Sequence, residues 1–261
     1  MEPVKLTSVD GIALDAVVHE PSGGGRAGTV ILAHGITADM DEGGMFVRLA
    51  DRLAGEGFAV LRFSFRGHGQ SGGTQRGVTI AGEMLDLQAA TELALRGYGP
   101  PLWIVAASFG AVSTVLSLPY LRERLAALVL WNPVLDLRRT FTDPELAWGL
   151  ANFGPAQQQL LGEQGYLLID GEFELGWVMF QEFCRYRPLE CFEASRIPAL
   201  VVHGDRDTYV SYDIARAAAD RGGCVFHTVV GSDHGFDSRE REDETIEATV
   251  GWLVRQHTAT P

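Results

Sequence analysis

Short apolar runs alternate along the chain with longer segments in which apolar residues recur at helical spacing. Most of these runs are uninterrupted, which is typical of strands that are buried on both faces of a parallel sheet. Strands are therefore predicted at 12–19, 29–33, 58–63, 102–106, 125–130, 199–202 and 225–230.

The segments between these strands have the pattern of amphipathic helices. Ile80 and Leu87 belong to a series that lies on one face of a helix, and Ile246 and Val250 begin a similar series near the C-terminus. Ser211 can cap a helix that follows the strand at 199–202. Strands that alternate with helices in this way predict an α/β fold with a mostly parallel sheet.

The alternation stops in one segment of the chain, which we interpret as an insertion at 136–195 between two parts of a core at 1–135 and 196–261. Gly171 and Glu172 stand between two apolar runs in this insertion and predict a hairpin turn. The insertion is rich in aromatic residues, among them Phe141, Trp148, Phe153, Tyr166, Phe173, Trp177, Phe180, Phe183 and Tyr186.

Composition narrows the class of protein further. A formal net charge of −13 in 261 residues argues against nucleic acid as a partner, because phosphate binding needs clustered Lys and Arg. No apolar stretch is long enough for a membrane span, and the N-terminus lacks the pattern of a signal peptide. Three cysteines do not suggest a disulfide framework. From these features we expect a cytoplasmic protein. A loop is predicted at 22–25. The sequence leaves open whether the protein forms a homo-oligomer.

Ser108 is the first residue that suggests chemistry. It lies between the buried strand at 102–106 and a predicted helix, in the sequence Ala106-Ala107-Ser108-Phe109-Gly110. A nucleophile elbow needs this strand–turn–helix context and small flanking residues, which Ala106 and Gly110 provide. The motif alone is weak, because a serine in this place can simply cap a helix.

Two later segments strengthen the interpretation. An acidic loop at 203–207 follows one predicted strand, and Asp233 and His234 follow the next. The chain order is then Ser, Asp, His, and each residue lies at the carboxyl end of a strand, where open α/β sheets bind ligands. A neutral His can take the proton of a serine hydroxyl, and a buried carboxylate can orient that His. We therefore predict Ser108 as the nucleophile and His234 as its base.

The backbone N–H of the residue after the nucleophile, Phe109, is predicted as one donor of an oxyanion hole. The other donor should come from the loop after the strand at 29–33, and we assign it to the N–H of Ile36. We interpret His34 as a residue that holds this loop, and His68 as a turn residue.

The sequence resembles the α/β-hydrolase superfamily, and within it the group of esterases and serine aminopeptidases that includes cinnamoyl and feruloyl esterases. This resemblance implies an α/β-hydrolase fold, with a mostly parallel central sheet flanked by helices and with the insertion as a cap over the site. It departs from the family at Ala106, which replaces a Gly, and at Ser64, where an Asp is common. The resemblance rests on Ala33-His34-Gly35-Ile36-Thr37, Met45-Phe46, the segment Leu61 to Ser71, Asn132-Pro133, His203-Gly204-Asp205-Arg206-Asp207 and Asp233-His234-Gly235.

The acid that orients His234 has to be chosen between neighbours. Asp205 comes directly after Gly204 and is suited to tie its own turn, whereas Asp207 lies further along the loop. The family pattern, His-Gly and then Asp after two residues, also falls on Asp207. We predict Asp207 as the acid, with Asp136 as a distant alternative from the preceding strand's loop.

Together these residues predict a serine hydrolase that cleaves a carboxylic ester of a small, partly apolar or aromatic substrate. No cofactor and no metal are expected, because the histidines show no metal-binding spacing. The aromatic residues of the insertion can line the pocket or form the insertion's own core, or both. A thioesterase, lactonase, peptidase or biosynthetic tailoring enzyme with the same triad stays open, as does a non-catalytic small-molecule receptor with this fold.

Overall fold

The architecture is an eight-stranded sheet with helices on both faces, in a computed structural model that describes residues 1–22 and 27–259. The loop predicted at 22–25 therefore lies almost entirely outside the described residues. The strands are β1 (Glu2–Pro3), β2 (Leu6–Thr7), β3 (Ala13–Leu14), β4 (Ala16–His19), β5 (Gly28–Ala33), β6 (Phe58–Phe63), β7 (Leu102–Ala107), β8 (Leu125–Trp131), β9 (Tyr166–Ile169), β10 (Phe173–Gly176), β11 (Ala199–Gly204) and β12 (Val225–Val229).

Helices cover the sheet and form much of the insertion. They are α1 (Met45–Gly55), α2 (Ile80–Gly97), α3 (Gly110–Leu116), α4 (Leu118–Leu121), α5 (Ala147–Phe153), α6 (Pro155–Gln164), α7 (Trp177–Glu182), α8 (Pro188–Ala194), α9 (Tyr212–Gly222) and α10 (Arg239–Ala259). Single helical turns lie at Glu42–Gly44, Gln75–Gly77 and Arg138–Thr142. As predicted, Ser211 caps α9, its hydroxyl accepting a hydrogen bond from the Ile214 N–H.

The strand order in the large sheet is β1-β4-β6-β5-β7-β8-β11-β12, and the pairs from β6 to β12 are parallel. The chain leaves β5 toward β6 on one side and returns to β7 on the other, so the order reverses at β5. In open α/β sheets such a switch point opens a crevice at the carboxyl ends of the strands. The predicted mostly parallel sheet is confirmed, and β12 is its half-exposed edge strand. The strand predicted at 12–19 is instead divided into β3, which pairs with β2, and β4, which pairs antiparallel with β6.

Apolar residues of the central strands point alternately to the two faces of the sheet, because side chains alternate along a strand. Ile31 packs in a core with residues of α2, α3 and α9. Its neighbours Val30 and Leu32 pack in a second core with residues of α1 and α10. Continuous hydrophobicity in these strands therefore reflects two covered faces.

The segment from 136 to 195 leaves the sheet after β8 and returns before β11, and it contains α5 to α8 and one hairpin. Strands β9 and β10 pair antiparallel around Gly171, as the turn prediction requires. Most of its aromatic side chains pack against each other in a third core, with Phe141 stacked on Phe183 at 4.3 Å. Most of these aromatic residues therefore pack in a core, but this core also contains Ile36, Phe109 and Val210 from outside the insertion.

The three cysteines are free thiols. None of the helices that the structure describes combines the length and the hydrophobicity needed to cross a membrane.

Candidate active site

Ser108 lies in a tight turn between β7 and α3, with a φ of +49° that non-glycine residues rarely adopt. Its backbone N–H donates to the Trp131 carbonyl at 2.8 Å, which ties the turn to the end of β8. A Cβ on Gly110 would lie 2.5 Å from the carbonyl oxygens of Ala33 and His34. The turn therefore needs glycine at 110, and it projects Ser108 from the carboxyl edge of the sheet.

A chain of two hydrogen bonds starts at this serine. The Ser108 Oγ lies 2.9 Å from His234 Nε2, and His234 Nδ1 lies 2.8 Å from Asp207 Oδ2. A carboxylate only accepts hydrogen bonds, so Nδ1 carries the proton and Nε2 is free to accept from the serine hydroxyl. The structure thus brings together the three residues predicted from their places at strand ends.

Asp207 is held on both of its carboxylate oxygens. Oδ1 accepts hydrogen bonds from the N–H groups of Tyr209 and Val210, each at 2.8 Å. Burial alone would raise the pKa of Asp207, but the facing His234, with its charge and its hydrogen bond, brings it below its ordinary value. The carboxylate is therefore ionised and fixed in orientation at neutral pH.

The other two candidate acids have different roles. Asp205 Oδ1 accepts a hydrogen bond from the Gly231 N–H at 2.5 Å, so it joins two loops. The prediction that Asp205 ties its own turn is wrong, because the neighbouring loop after β12 comes closer than its own backbone. Asp136 accepts from the Arg139 N–H at the start of the insertion instead of facing His234.

His234 is surrounded by acidic groups. Burial alone would lower its pKa, but the charges of Asp207, Glu42 and Asp233 raise it above the ordinary value of 6.5. The backbone around it is also fixed, because the Asn132 amide donates to the His234 carbonyl and accepts from the Gly204 N–H. Asn132 therefore joins the loops that carry the base and the acid.

Three rings are stacked from the insertion to this imidazole. The Tyr209 ring lies parallel to the His234 ring, with centroids 4.7 Å apart. The Trp148 ring also stacks on Tyr209, with centroids 4.9 Å apart. Trp148 in turn donates its indole N–H to the Asp170 carboxylate in the hairpin turn. The insertion is thus in direct contact with the residues that position His234.

The two N–H groups predicted as oxyanion donors lie in different turns, Ile36 in the loop after β5 and Phe109 directly after Ser108. Neither the Ile36 N–H nor the Phe109 N–H donates a hydrogen bond to any residue that the structure describes. His34 holds this loop as predicted, because its Nδ1 bonds the Gly35 carbonyl and its Nε2 accepts from the Phe65 N–H. His68 is more than a turn residue, since its Nε2 also lies 2.7 Å from the Ile36 carbonyl.

Two cavities meet at Ser108 and His234. The first, of about 80 Å³, lies under the insertion and is lined in part by Ile36, Phe141 and Trp148. The second, of about 210 Å³, extends on the other side toward Met45 and Phe236. An acyl group and its leaving group could therefore lie on opposite sides of the serine.

Sequence patterns missed Glu42 and Tyr209, and they gave Asn132 no role beyond its part in the family resemblance. Asn132 has a recognisable signal, because it follows the end of β8 as Ser108 follows the end of β7. Glu42 and Tyr209 have none, since each acts through a local conformation or a ring contact. No group of three or more His, Cys, Asp and Glu in the described part of the chain is arranged to hold a metal ion.

Comparisons with known proteins identify a family and a fold. A family model described as serine aminopeptidase, S33, matches residues 24–168. Est1E from Butyrivibrio proteoclasticus with ferulic acid bound has a TM-score of 0.84 at 23% identity, over 98% of this chain and 100% of that one. An esterase of Pyrococcus furiosus has a TM-score of 0.73 at 20% identity, over 98% of this chain and 91% of that one. No curated protein matches, and the solved structures show the α/β-hydrolase fold.

Proposed function

The chain belongs to the serine aminopeptidase S33 family of α/β-hydrolases, and we propose that it is a serine hydrolase that cleaves carboxylic esters through an acyl-serine intermediate. The observation that carries this proposal is the hydrogen-bonded chain from Ser108 through His234 to Asp207. The esterase neighbours of the same fold support an ester as the bond that is cleaved.

In the acylation step, the Ser108 oxygen attacks the ester carbonyl carbon while His234 Nε2 takes the hydroxyl proton. The negative charge moves to the carbonyl oxygen, where the N–H groups of Ile36 and Phe109 can stabilise it. Their lack of hydrogen-bond partners in the described residues supports this role. The tetrahedral intermediate then collapses, and the His234 imidazolium gives its proton to the departing alkoxide.

In the deacylation step, water takes the place of the alcohol. His234 Nε2 removes a proton from this water as the water oxygen attacks the carbonyl carbon of the acyl group on Ser108. Collapse of the second tetrahedral intermediate releases the carboxylic acid and returns the proton to Ser108. Asp207 stays ionised throughout and stabilises the imidazolium in both steps.

The substrate is a small ester with an apolar or aromatic part. The cavity under the insertion is narrow and carries the side chains of Phe141 and Trp148. Ferulic acid, which is bound in the Est1E structure, is an aromatic carboxylic acid and therefore an example of a product of this kind. The insertion at 136–195 would act as the cap that selects the substrate, which stays a prediction.

Replacement of the nucleophile tests this function. Ser108→Ala should lower kcat on a p-nitrophenyl ester by about 10⁶, the usual loss when a triad member is removed. A fluorophosphonate should label the wild-type protein at Ser108, located by peptide mass spectrometry. Ser117→Ala is a matched control, because Ser117 is a buried serine whose hydroxyl bonds the Ser113 carbonyl away from His234. Labelling of another serine in the wild type would contradict the assignment.

A further inference from the structure

Glu42 occupies a place in the site that the reaction described above does not use. Three residues line both of the cavities that meet at the proposed nucleophile: Ser108, His234 and Glu42. An acidic side chain at this junction is costly unless it is paired, because burial disfavours its charged form. The contacts of the Glu42 carboxylate should therefore explain why an acidic side chain lies at this junction.

The backbone brings Glu42 into the site through an unusual conformation. Glu42, Gly43 and Gly44 have consecutive positive φ angles of +46°, +62° and +91°. Such angles are rare for a residue with a side chain, and this kind of strain is typical of functional sites. The turn directs the Glu42 carboxylate back to the loop after β5, where its Oε2 accepts a hydrogen bond from the Gly35 N–H at 2.7 Å.

This hydrogen bond completes a set of contacts that fix the loop. Glu42 holds the N–H of Gly35, His34 holds the Gly35 carbonyl, and His68 reaches the Ile36 carbonyl. The Gly35 carbonyl and the Ile36 N–H belong to one planar peptide unit. Contacts on both sides of Gly35 therefore set the direction in which the Ile36 N–H points.

Glu42 and His234 also interact through their charges. The carboxylate of Glu42 raises the pKa of His234, and burial raises the pKa of Glu42 itself to about 7 although Gly35 and His234 oppose this. The protonation of each group therefore affects the protonation of the other. Other ionisable groups that face this pair or line the same cavities are Asp39, Asp170, His203, Asp207, Tyr209, Asp233 and Glu242.

We propose that Glu42 is a positioning residue of the proposed hydrolase: it aims the Ile36 N–H at the substrate carbonyl through Gly35, and its carboxylate stabilises the His234 imidazolium. This inference rests on the proposed function. Both parts act in the transition state, when the carbonyl oxygen becomes negative and His234 becomes positive. Loss of Glu42 should therefore lower kcat more than it raises KM.

Two substitutions separate the hydrogen bond from the charge. Glu42→Gln keeps an oxygen that can accept from the Gly35 N–H but has no charge, whereas Glu42→Ala removes both. In Glu42→Gln, we expect the rise of kcat with pH to occur about one pH unit lower than in the wild type. Above pH 8, kcat should be roughly tenfold lower, because one pKa unit corresponds to a tenfold change in imidazolium stability. Glu42→Ala should lose about 10²-fold, as for a misdirected oxyanion donor. Glu56→Gln, an exposed change beyond the end of α1, is the matched control and should follow the wild type.

An NMR titration of the His234 imidazole measures the charge interaction without turnover. We expect the pKa of His234 to fall by about one unit in Glu42→Gln and to stay constant in Glu56→Gln. Equal His234 titrations in the wild type and Glu42→Gln would overturn the charge role, and equal kcat in Glu42→Ala and the wild type would overturn the positioning role. A wild-type protein that neither hydrolyses esters nor reacts with a fluorophosphonate overturns the proposed function instead, and the NMR titration still decides whether Glu42 acts on His234.

Discussion

Asp205 and Asp207 stand two positions apart in one loop, yet their carboxylates have different partners. Asp207 accepts from His234 and from two backbone N–H groups of its own loop, whereas Asp205 accepts from Gly231 across a gap between loops. Sequence spacing alone left both open. The geometry of their hydrogen bonds separates the proposed catalytic acid from a residue that joins two loops.

Substitution of these two carboxylates should have opposite consequences. Asp207→Asn should lower kcat by about 10⁴, because the amide favours the wrong tautomer of His234 and does not stabilise the imidazolium. Asp205→Asn, its matched control, should keep kcat. It should lower the free energy of unfolding by about 1 kcal/mol, because the amide oxygen still accepts from the Gly231 N–H but a hydrogen bond to a neutral group contributes less than one to a charged group. Steady-state kinetics at pH 8 and urea unfolding measure both. Equal kcat for Asp207→Asn and the wild type would remove Asp207 from the proposed triad.

The pH dependence of hydrolysis should follow the protonation of His234. The base must be neutral to accept the serine proton, so activity rises with pH as His234 loses its proton. The surrounding carboxylates raise the pKa of His234 above 6.5, so half-maximal kcat/KM should occur above that pH. A profile of kcat/KM between pH 5 and 9 tests this. A limb that falls with rising pH over the same range would indicate a different base.

Sequence spacing predicted Ser108, His234 and the acidic loop at 203–207 because each follows a buried strand, and strand ends are readable from hydrophobicity. The choice of Asp207 within this loop also used the family pattern. Glu42 was not predicted because its position depends on three consecutive positive φ angles, which no spacing reveals. Tyr209 was missed for a related reason. Its ring stacks on Trp148 and His234, which are both far from it in the sequence.

The hairpin β9–β10 connects the insertion to the core by close backbone packing. A Cβ on Gly176, at the end of β10, would lie 2.0 Å from the Arg76 carbonyl oxygen in the helical turn at Gln75–Gly77. The Arg76 guanidinium also pairs with Glu174 and lies over the Tyr166 ring at 3.6 Å. This contact requires glycine, because backbone occupies the space of a side chain.

Gly176→Ala should therefore displace the hairpin. We expect the free energy of unfolding to fall by about 1–3 kcal/mol, the usual cost of overpacking, with a lower Tm. Gly162→Ala in α6 is the control, since nothing lies within 4 Å of its added Cβ and alanine favours a helix by up to about 1 kcal/mol. Differential scanning calorimetry measures both variants. An unchanged Tm in Gly176→Ala would show that the hairpin can shift without cost.

The core elements were easier to predict than those of the insertion. Strands β6 and β7 were found to within one residue because they are short, apolar and bounded by polar turns. In the insertion, the turn at Gly171 predicted a hairpin, but the sequence predicted no helix boundaries. Its aromatic residues are spread over several short helices instead of along one helix face. Its bounds at 136–195 and its selection of substrate stay predictions.

The whole chain places its chemistry at one edge of the sheet. Ser108, the loop at 34–37 and the loops with Asp207 and His234 all follow the carboxyl ends of parallel strands β5, β7, β11 and β12. This arrangement comes from the strand order, which is the part of the fold that solved relatives share at 20–23% identity. The strand order therefore persists where most of the sequence has changed.

The proposed reaction uses only side-chain and backbone groups of the protein. We therefore expect that dialysis against EDTA leaves kcat and KM for a p-nitrophenyl ester unchanged, because the acid, base and oxyanion donors are all protein groups. Activity before and after dialysis, with and without added Mg²⁺, Mn²⁺ or Zn²⁺, measures this. Loss of activity that a divalent ion restores would contradict the mechanism.

The stack of Trp148, Tyr209 and His234 also links heat inactivation to local opening of the insertion. Short helices outside the sheet can open at lower free energy than the core, and in the seven residues of α5 the buried ones are Gly149 and Phe153. When α5 separates, Tyr209 loses the ring on one side and His234 loses the fixed neighbour that limits its rotation. We therefore expect the upper temperature for turnover to be the temperature at which this helix separates, while the eight-stranded sheet is still folded.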